Sequence, residues 1–264
     1  MSDTNNPIPE PAASEALDNL FPEAPLPAQP EPPKSEVFWG WHDFFLFFLI
    51  TLLALGATML AATGLRVLFH IAESRMNIIF VLAQFTAYGI AFTCLKLMFR
   101  AEYGASLLPS LRWCTTHLHP LRLALLGLGQ AVAIAVIGSF MRIPQIDTPM
   151  NSLLSDRPTA VVIAILGVTM APLFEELAFR GLLQPLLIRT IGVFPGILLT
   201  SFLFGAMHLE QYGAWQSVVL ITMAGVGFGS MRHLTGSTQA SAIMHAGYNS
   251  ALFLLFFTQK GPHS

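Results

Sequence analysis

Apolar runs of about twenty residues recur along this chain, each near the length that crosses a bilayer. They fall at about 44–65, 76–99, 121–141, 159–189, 192–209, 215–231 and 239–257. A chain in lipid must satisfy its backbone hydrogen bonds within the spanning segment, so the runs read as helices. The expected fold is an all-α polytopic transmembrane helical bundle of about seven spans, or eight if the long fourth run breaks. Composition agrees: 54% of residues are hydrophobic and 11% are charged, against about 25% charged in an ordinary soluble domain.

The same composition narrows the function classes. A net charge of −2 without a basic block gives no case for a nucleic-acid partner. Cys94 and Cys114 make neither a metal pattern nor a disulfide framework and read as free thiols. Residues 1–36 are rich in proline and acidic residues and read as a disordered tail. They lack the basic n-region and early apolar core of a signal peptide. The chain then divides into N-terminal transmembrane helices over 37–150 and a second transmembrane block over 151–264. Trp39 and Trp41, ahead of the first run, are expected in the interfacial belt.

The Lys/Arg bias orients the bundle. With the N-terminus inside, Lys34, Lys96, Arg100, Arg112, Arg122, Arg180, Arg189 and Arg232 fall inside, and Arg66, Arg75, Arg142, Arg157 and Lys260 outside. This favours a cytoplasmic N-terminus in a plasma or inner membrane. The glycine-rich stretch 224–229 has no preceding strand, so it fails as a nucleotide loop. Gly225 and Gly229, four apart, suit close helix packing in lipid.

Against this background the stretch 171–181 stands out, with Glu175, Glu176 and Arg180 inside an apolar run. Ionisable groups at lipid depth are costly and face a bundle interior or a wet cavity. Two more polar clusters follow: His208, four residues after Phe204, and His245 with Asn249. Residues four apart share a helix face, so Glu176 can meet Arg180, and His245 and Asn249 point the same way. Glu175 has no such partner. If the fourth run is one helix with kinks at Pro172 and Pro185, its glutamates lie near mid-length. His208 and Asn249 lie about 18 Å up their own helices, so all three clusters can reach one depth. His42, His70, His117, His119 and His233 fall near loops or ahead of the first run and read as interfacial or solvated.

Glu-Glu-x-x-x-Arg over 175–180, Phe-x-x-x-His over 204–208 and His-x-x-x-Asn over 245–249, in this order on successive apolar runs, resemble the CAAX-protease and bacteriocin-processing (CPBP) family of intramembrane proteases. That family includes the type II CAAX prenyl endopeptidases. The resemblance covers about 155–258; the first three spans and the tail carry no matching motif. It implies a helical membrane fold with a polar intramembrane cavity and hydrolysis of a peptide bond by activated water. Glu175 would be the general base, with His208 holding or activating the water. His245 and Asn249 would stabilise the oxyanion, and Glu176 with Arg180 would brace the site. The partners implied are the lipid bilayer and a peptide or lipidated-protein substrate, such as a prenylated CAAX-type peptide.

The chemistry is sound apart from the resemblance. Desolvation raises the proton affinity of any carboxylate, toward the range where a general base works at neutral pH. Donors aimed at an oxyanion gain strength where water is excluded. The cofactor is open: there is no His-Glu-x-x-His helix, yet Glu175, His208 and His245 could form an open His₂Glu zinc site. A metal-free glutamate mechanism fits the same residues and is preferred. The alternatives are a non-catalytic bacteriocin-immunity or scaffold protein, and a proton-coupled transporter with the buried Glu and His as a relay. Polar residues confined to the second half argue against the repeats common in transporters.

Overall fold

Helix starts and stops follow the local sequence closely. The structure, a computed structural model, describes residues 37–144 and 146–259; the expected tail, with Lys34, and Lys260 lie outside them. Helix α1 spans Trp41–Phe69 and α2 Met76–Tyr103, with the short α3 at Leu107–Ser110 behind them. Helix α4 covers Pro120–Phe140, α5 Pro149–Ser155 and α6 Arg157–Val168. Proline in the first turn opens α4, α5 and α6, where its missing N–H costs nothing. The Thr148 and Asp156 side chains accept from Asn151 N–H and Thr159 N–H and cap α5 and α6.

The fourth apolar run is not one straight rod. After α6 the axis bends by 42° at Thr169, and α7, Met170–Glu176, begins. Pro172 accounts for the break, since its ring excludes the carbonyl of Val168, four residues earlier. Residues Leu177–Leu183 then wind as a π-helix, and the Gln184 N–H bonds back to the Phe179 carbonyl. Such wide turns inside α-helices recur at functional sites. Helix α8, Gln184–Ile191, completes the run.

Helix α9 spans Val193–Ala206, α10 is the single turn Leu209–Tyr212, and α11 (Trp215–Thr235) and α12 (Thr238–Gln259) complete the bundle. Five helices (α1, α2, α4, α11 and α12) are long and apolar enough to cross a membrane singly, and the bent pair α6 with α7–α8 makes a sixth. By length and composition the described residues thus give five or six candidate spans, against the seven to eight expected. The run 192–209 yields a helix of only 14 residues, about 21 Å long and well short of the hydrocarbon thickness. The all-α polytopic bundle itself is as expected.

Small residues let the helices around the site approach closely. A Cβ on Gly127 of α4 would lie 1.9 Å from the Met244 carbonyl oxygen of α12, and one on Gly247 of α12 would lie 2.3 Å from that of Ala124. Helices α9 and α11 meet in the same way at Gly205, whose Cβ would lie 2.7 Å from the Val218 oxygen. Without a hydrophobic drive between helices in lipid, such contact is the main source of association.

Trp39 is not in an interfacial belt. It is 2% exposed and its indole donates to the Leu182 carbonyl at 3.1 Å, with the ring against Phe38 and Phe99. A buried indole N–H requires an acceptor, and the backbone near the end of the π-helical segment offers one. Trp41 is half-buried. Arg189 at the end of α8 donates to the Val37 and Trp39 carbonyls, which pins this entry strand to the site-bearing run. The loop after α3 docks on the start of α12, where Thr238 N–H donates to Arg112 O at 2.9 Å and the Thr238 hydroxyl to Leu111 O at 2.6 Å.

Candidate active site

Two polar ladders face one another across the bundle. On the run through α7 and the π-helical segment, Glu176, Arg180 and Gln184 recur every four residues. On α12, Ser241, His245 and Asn249 do the same. The wide winding over 177–183 turns Arg180 and Gln184 toward α11. Arg180 Nη2 donates to the Gly225 carbonyl at 3.1 Å, and Gln184 Nε2 to the Gly229 carbonyl at 3.0 Å.

Those two glycines are what admit the polar side chains. A Cβ on Gly225 would lie 3.0 Å from Ser201 Cβ and 3.1 Å from Arg180 Nη2, and one on Gly229 would lie 2.8 Å from Gln184 Oε1. The close packing expected of this glycine pair is therefore present. It also brings backbone acceptors to the buried cation.

Glu176 is the hub. It is wholly buried. Its Oε1 accepts from Arg180 Nη1 at 3.0 Å and lies 3.0 Å from His245 Nδ1, and its Oε2 accepts from the Ser241 hydroxyl at 2.5 Å. A carboxylate beside a guanidinium can only accept, so the hydrogen shared with His245 resides on Nδ1. The Arg180 guanidinium is further enclosed by aromatic faces, 4.5 Å from the Phe204 ring centroid and 5.5 Å from that of Phe228. This set offsets much of the cost that lipid imposes on a buried ion pair, although Arg180 Nε has no hydrogen-bond partner among the described residues.

Glu175, its neighbour in sequence, has a different environment. Its side chain is 26% exposed, and its Oε2 lies 3.7 Å from His245 Nε2. His245 thus stands between the two carboxylates, with Nδ1 toward Glu176 and Nε2 toward Glu175. Its ring is stacked on Phe228 at 4.3 Å between centroids, which holds it against rotation. Of the two glutamates, Glu175 is the one with an oxygen left for solvent or a substrate.

His208 and Asn249 stand further out. His208 follows α9, with Nδ1 2.8 Å from the Phe204 carbonyl oxygen. The Phe204 ring, 4.9 Å from the His208 ring and 5.8 Å from the His245 ring, touches both histidines. Asn249 donates its amide to the Gly167 carbonyl at 2.7 Å, tying α12 to the end of α6 at the bend. The structure therefore brings Glu175, Glu176, Arg180 and His245 into one contact network, sets His208 behind Phe204, and engages Asn249 with backbone.

Ser241 and Gln184 were not among the expected site residues. Both continue ladders already visible in the sequence, Ser241 four before His245 and Gln184 four after Arg180. That spacing was the available signal. The remaining His residues described, His42, His70, His117, His119 and His233, are exposed, as expected. Cys94 and Cys114 are free.

A zinc site on Glu175, His208 and His245 does not fit this arrangement. Among the described residues no group of three or more His, Cys, Asp or Glu side chains could hold a metal ion.

Comparison with known proteins adds one positive finding. Residues 157–251 match the model of the family described as type II CAAX prenyl endopeptidase Rce1-like. The matched segment contains all three motifs and runs from the first turn of α6 to the middle of α12. No curated protein and no solved structure matches the chain. The match covers little more than a third of the chain; together with the long apolar helices it supports a multi-pass membrane protein similar, over that segment, to the CAAX-type intramembrane proteases.

Proposed function

We propose that this Rce1-like chain is an intramembrane endopeptidase that hydrolyses a peptide bond of a membrane-associated protein, with Glu175 as the general base. The observation that carries this reading is the unlike surroundings of two adjacent carboxylates. Glu176 is saturated with donors and buried. Glu175 keeps an exposed edge beside an imidazole that Glu176 has already oriented.

Glu175 takes a proton from a water as the water oxygen attacks the scissile carbonyl carbon. A C–O bond forms and the carbonyl oxygen becomes an oxyanion. The carboxylic acid then returns the proton to the amide nitrogen as the C–N bond breaks, so one group serves as base and then acid. His245 is a positioning and donor group at this centre, with Glu176 holding its Nδ1–H. In its protonated form its Nε2–H donates to the developing charge. His208, its Nδ1 occupied by Phe204 O, offers Nε2 to the water. Asn249 spends one amide hydrogen on Gly167 and has a second for the oxyanion. Glu176 and Arg180 fix the geometry and keep the site neutral, and preorganised dipoles of this kind supply much of the rate enhancement in such sites.

The substrate class is a peptide presented at the membrane, with prenylated CAAX-type C-termini the family's candidates. The proposed location is the plasma or inner membrane with the N-terminus cytoplasmic. The basic ends near Val37 support that orientation: Lys96, Arg100, Arg112, Arg122, Arg189 and Arg232. The test is cleavage of prenylated and unmodified peptides by detergent-purified protein and its Glu175→Gln variant. Cleavage by wild type alone supports the reading. Equal cleavage by both removes Glu175 as the base. A cellular phenotype untouched by Glu175→Gln and His245→Ala would favour a non-catalytic immunity or scaffold role.

A further inference from the structure

The matched segment begins at residue 157, yet the first half of the chain packs against the residue before Glu175. Helix α2 passes Phe174, the residue before Glu175. Phe85, Tyr88 and Phe92 of α2 lie with ring centroids 6.3, 5.8 and 5.4 Å from that of Phe174. Tyr88 is the one polar member of this aromatic face. It sits twelve residues into α2, about 18 Å along the helix, at the depth expected for the catalytic groups.

Three features set the Tyr88 hydroxyl apart. Gln84, one turn earlier, donates its amide to the phenol oxygen at 2.8 Å. That bond fills an acceptor position and turns the phenol's own hydrogen away from Gln84. No described protein acceptor takes that hydrogen. Its ring also packs on Phe174, the residue before Glu175, which sets this phenol against the turn that carries Glu175. The chain has four tyrosines, and Tyr103 provides the contrast: its hydroxyl is spent on buried Asp43, 3.0 Å away.

An oxyanion at Glu175 needs donors. His245 and Asn249 each have one hydrogen committed, to Glu176 and to Gly167, so a further donor adds to the one that each has left. A tyrosine hydroxyl with a free hydrogen, braced by an amide and walled by aromatic rings, is a donor of the type that stabilises such charge.

We propose that Tyr88 is a further catalytic residue, donating its hydroxyl hydrogen to the carbonyl oxygen of the peptide held at Glu175, with Gln84 as its positioning partner. The proposal rests on the endopeptidase reading and assigns the N-terminal helices a part in the chemistry. No proton is transferred: the phenol hydrogen shortens its bond to the oxygen as negative charge develops there, and relaxes when the C–N bond breaks.

The test uses the full chain in detergent, with two readouts. In peptide cleavage, Tyr88→Phe keeps the ring and removes the hydroxyl. It is expected to lower kcat by about 100-fold, with KM nearly unchanged. Gln84→Leu gives a smaller loss in kcat, and Tyr103→Phe leaves the site kinetics unchanged. In protein labelled with ¹³C at tyrosine Cζ, the Tyr88 resonance is assigned by its loss in Tyr88→Phe. It is expected to shift on Glu175→Gln, whether or not the protein cleaves anything.

A kcat for Tyr88→Phe within twofold of wild type would overturn the proposal, as would a Tyr88 resonance indifferent to Glu175→Gln. Should Glu175→Gln cleave at the wild-type rate, the endopeptidase reading through Glu175 fails. The resonance then still decides whether the two groups face one another.

Discussion

His245 Nδ1 lies 3.0 Å from Glu176 Oε1. The same carboxylate oxygen accepts from Arg180, and its twin accepts from Ser241. One buried anion therefore gathers a cation, an imidazole and a hydroxyl from two helices. The adjacent Glu175 is left with a single partner at 3.7 Å. On the proposed function this asymmetry makes Glu176 structural and Glu175 chemical, which yields a paired prediction.

Glu175→Gln is expected to reduce peptide cleavage by about 100- to 10,000-fold while changing stability by less than about 0.5 kcal/mol. Glu176→Gln leaves Arg180 as an uncompensated buried charge and is expected to lower stability by about 3–5 kcal/mol. Thermal unfolding in detergent beside a cleavage assay separates the two. Equal loss of stability in both variants would contradict the assignment.

The glycines make graded predictions. Gly127→Ala places a methyl against the Met244 backbone and is expected to cost more than Gly225→Ala, where Ser201 and Arg180 are the neighbours and a side chain can yield. Overpacking of this kind costs about 1–3 kcal/mol or more. Gly56→Ala and Gly64→Ala, with nothing within 4 Å, should be neutral or slightly stabilising. The order is read from the melting temperatures of the four variants.

Asn249 is expected to act on structure as well as on chemistry, because its amide holds Gly167 at the 42° bend. Asn249→Asp replaces the donor by an acceptor facing a carbonyl. It should lower stability by about 1–3 kcal/mol together with activity. A variant that loses cleavage with an unchanged melting temperature would assign Asn249 to chemistry alone.

Chelation provides a fourth test. Glu175, His208 and His245 do not form a group that could hold a metal ion. Treatment with 1,10-phenanthroline is therefore expected to leave the cleavage rate within twofold of untreated protein. Loss of activity restored by added zinc would reverse that expectation.

The apolar runs and the order of the three motifs were legible without coordinates because each depends on local chemistry. A run of about twenty apolar residues becomes a helix in lipid wherever it sits. The four-residue spacings of Glu176 with Arg180, and of His245 with Asn249, follow from helix geometry alone. The span count was not legible in this way. Hydropathy registers apolar residues but not the helix end at Ala206, which leaves the fifth run with a helix of 14 residues.

Trp39 shows the same limit from the other side. A tryptophan ahead of an apolar run reads as interfacial, yet this one is buried and bonded to Leu182, because a carbonyl 143 residues away in sequence accepts its N–H.

By itself, then, the sequence determined that the chain is a helical membrane bundle, that its polar clusters lie on separate helical runs of the second half, and which pairs share a face. Tertiary structure decided which glutamate is buried, where the histidine points, and that α2 reaches the site. Those outcomes depend on contacts between residues far apart in sequence, as in Arg180 with Gly225, His245 with Glu176 and Phe92 with Phe174. Helix periodicity assigns a residue to a face of its own helix, and only packing assigns that face a neighbour.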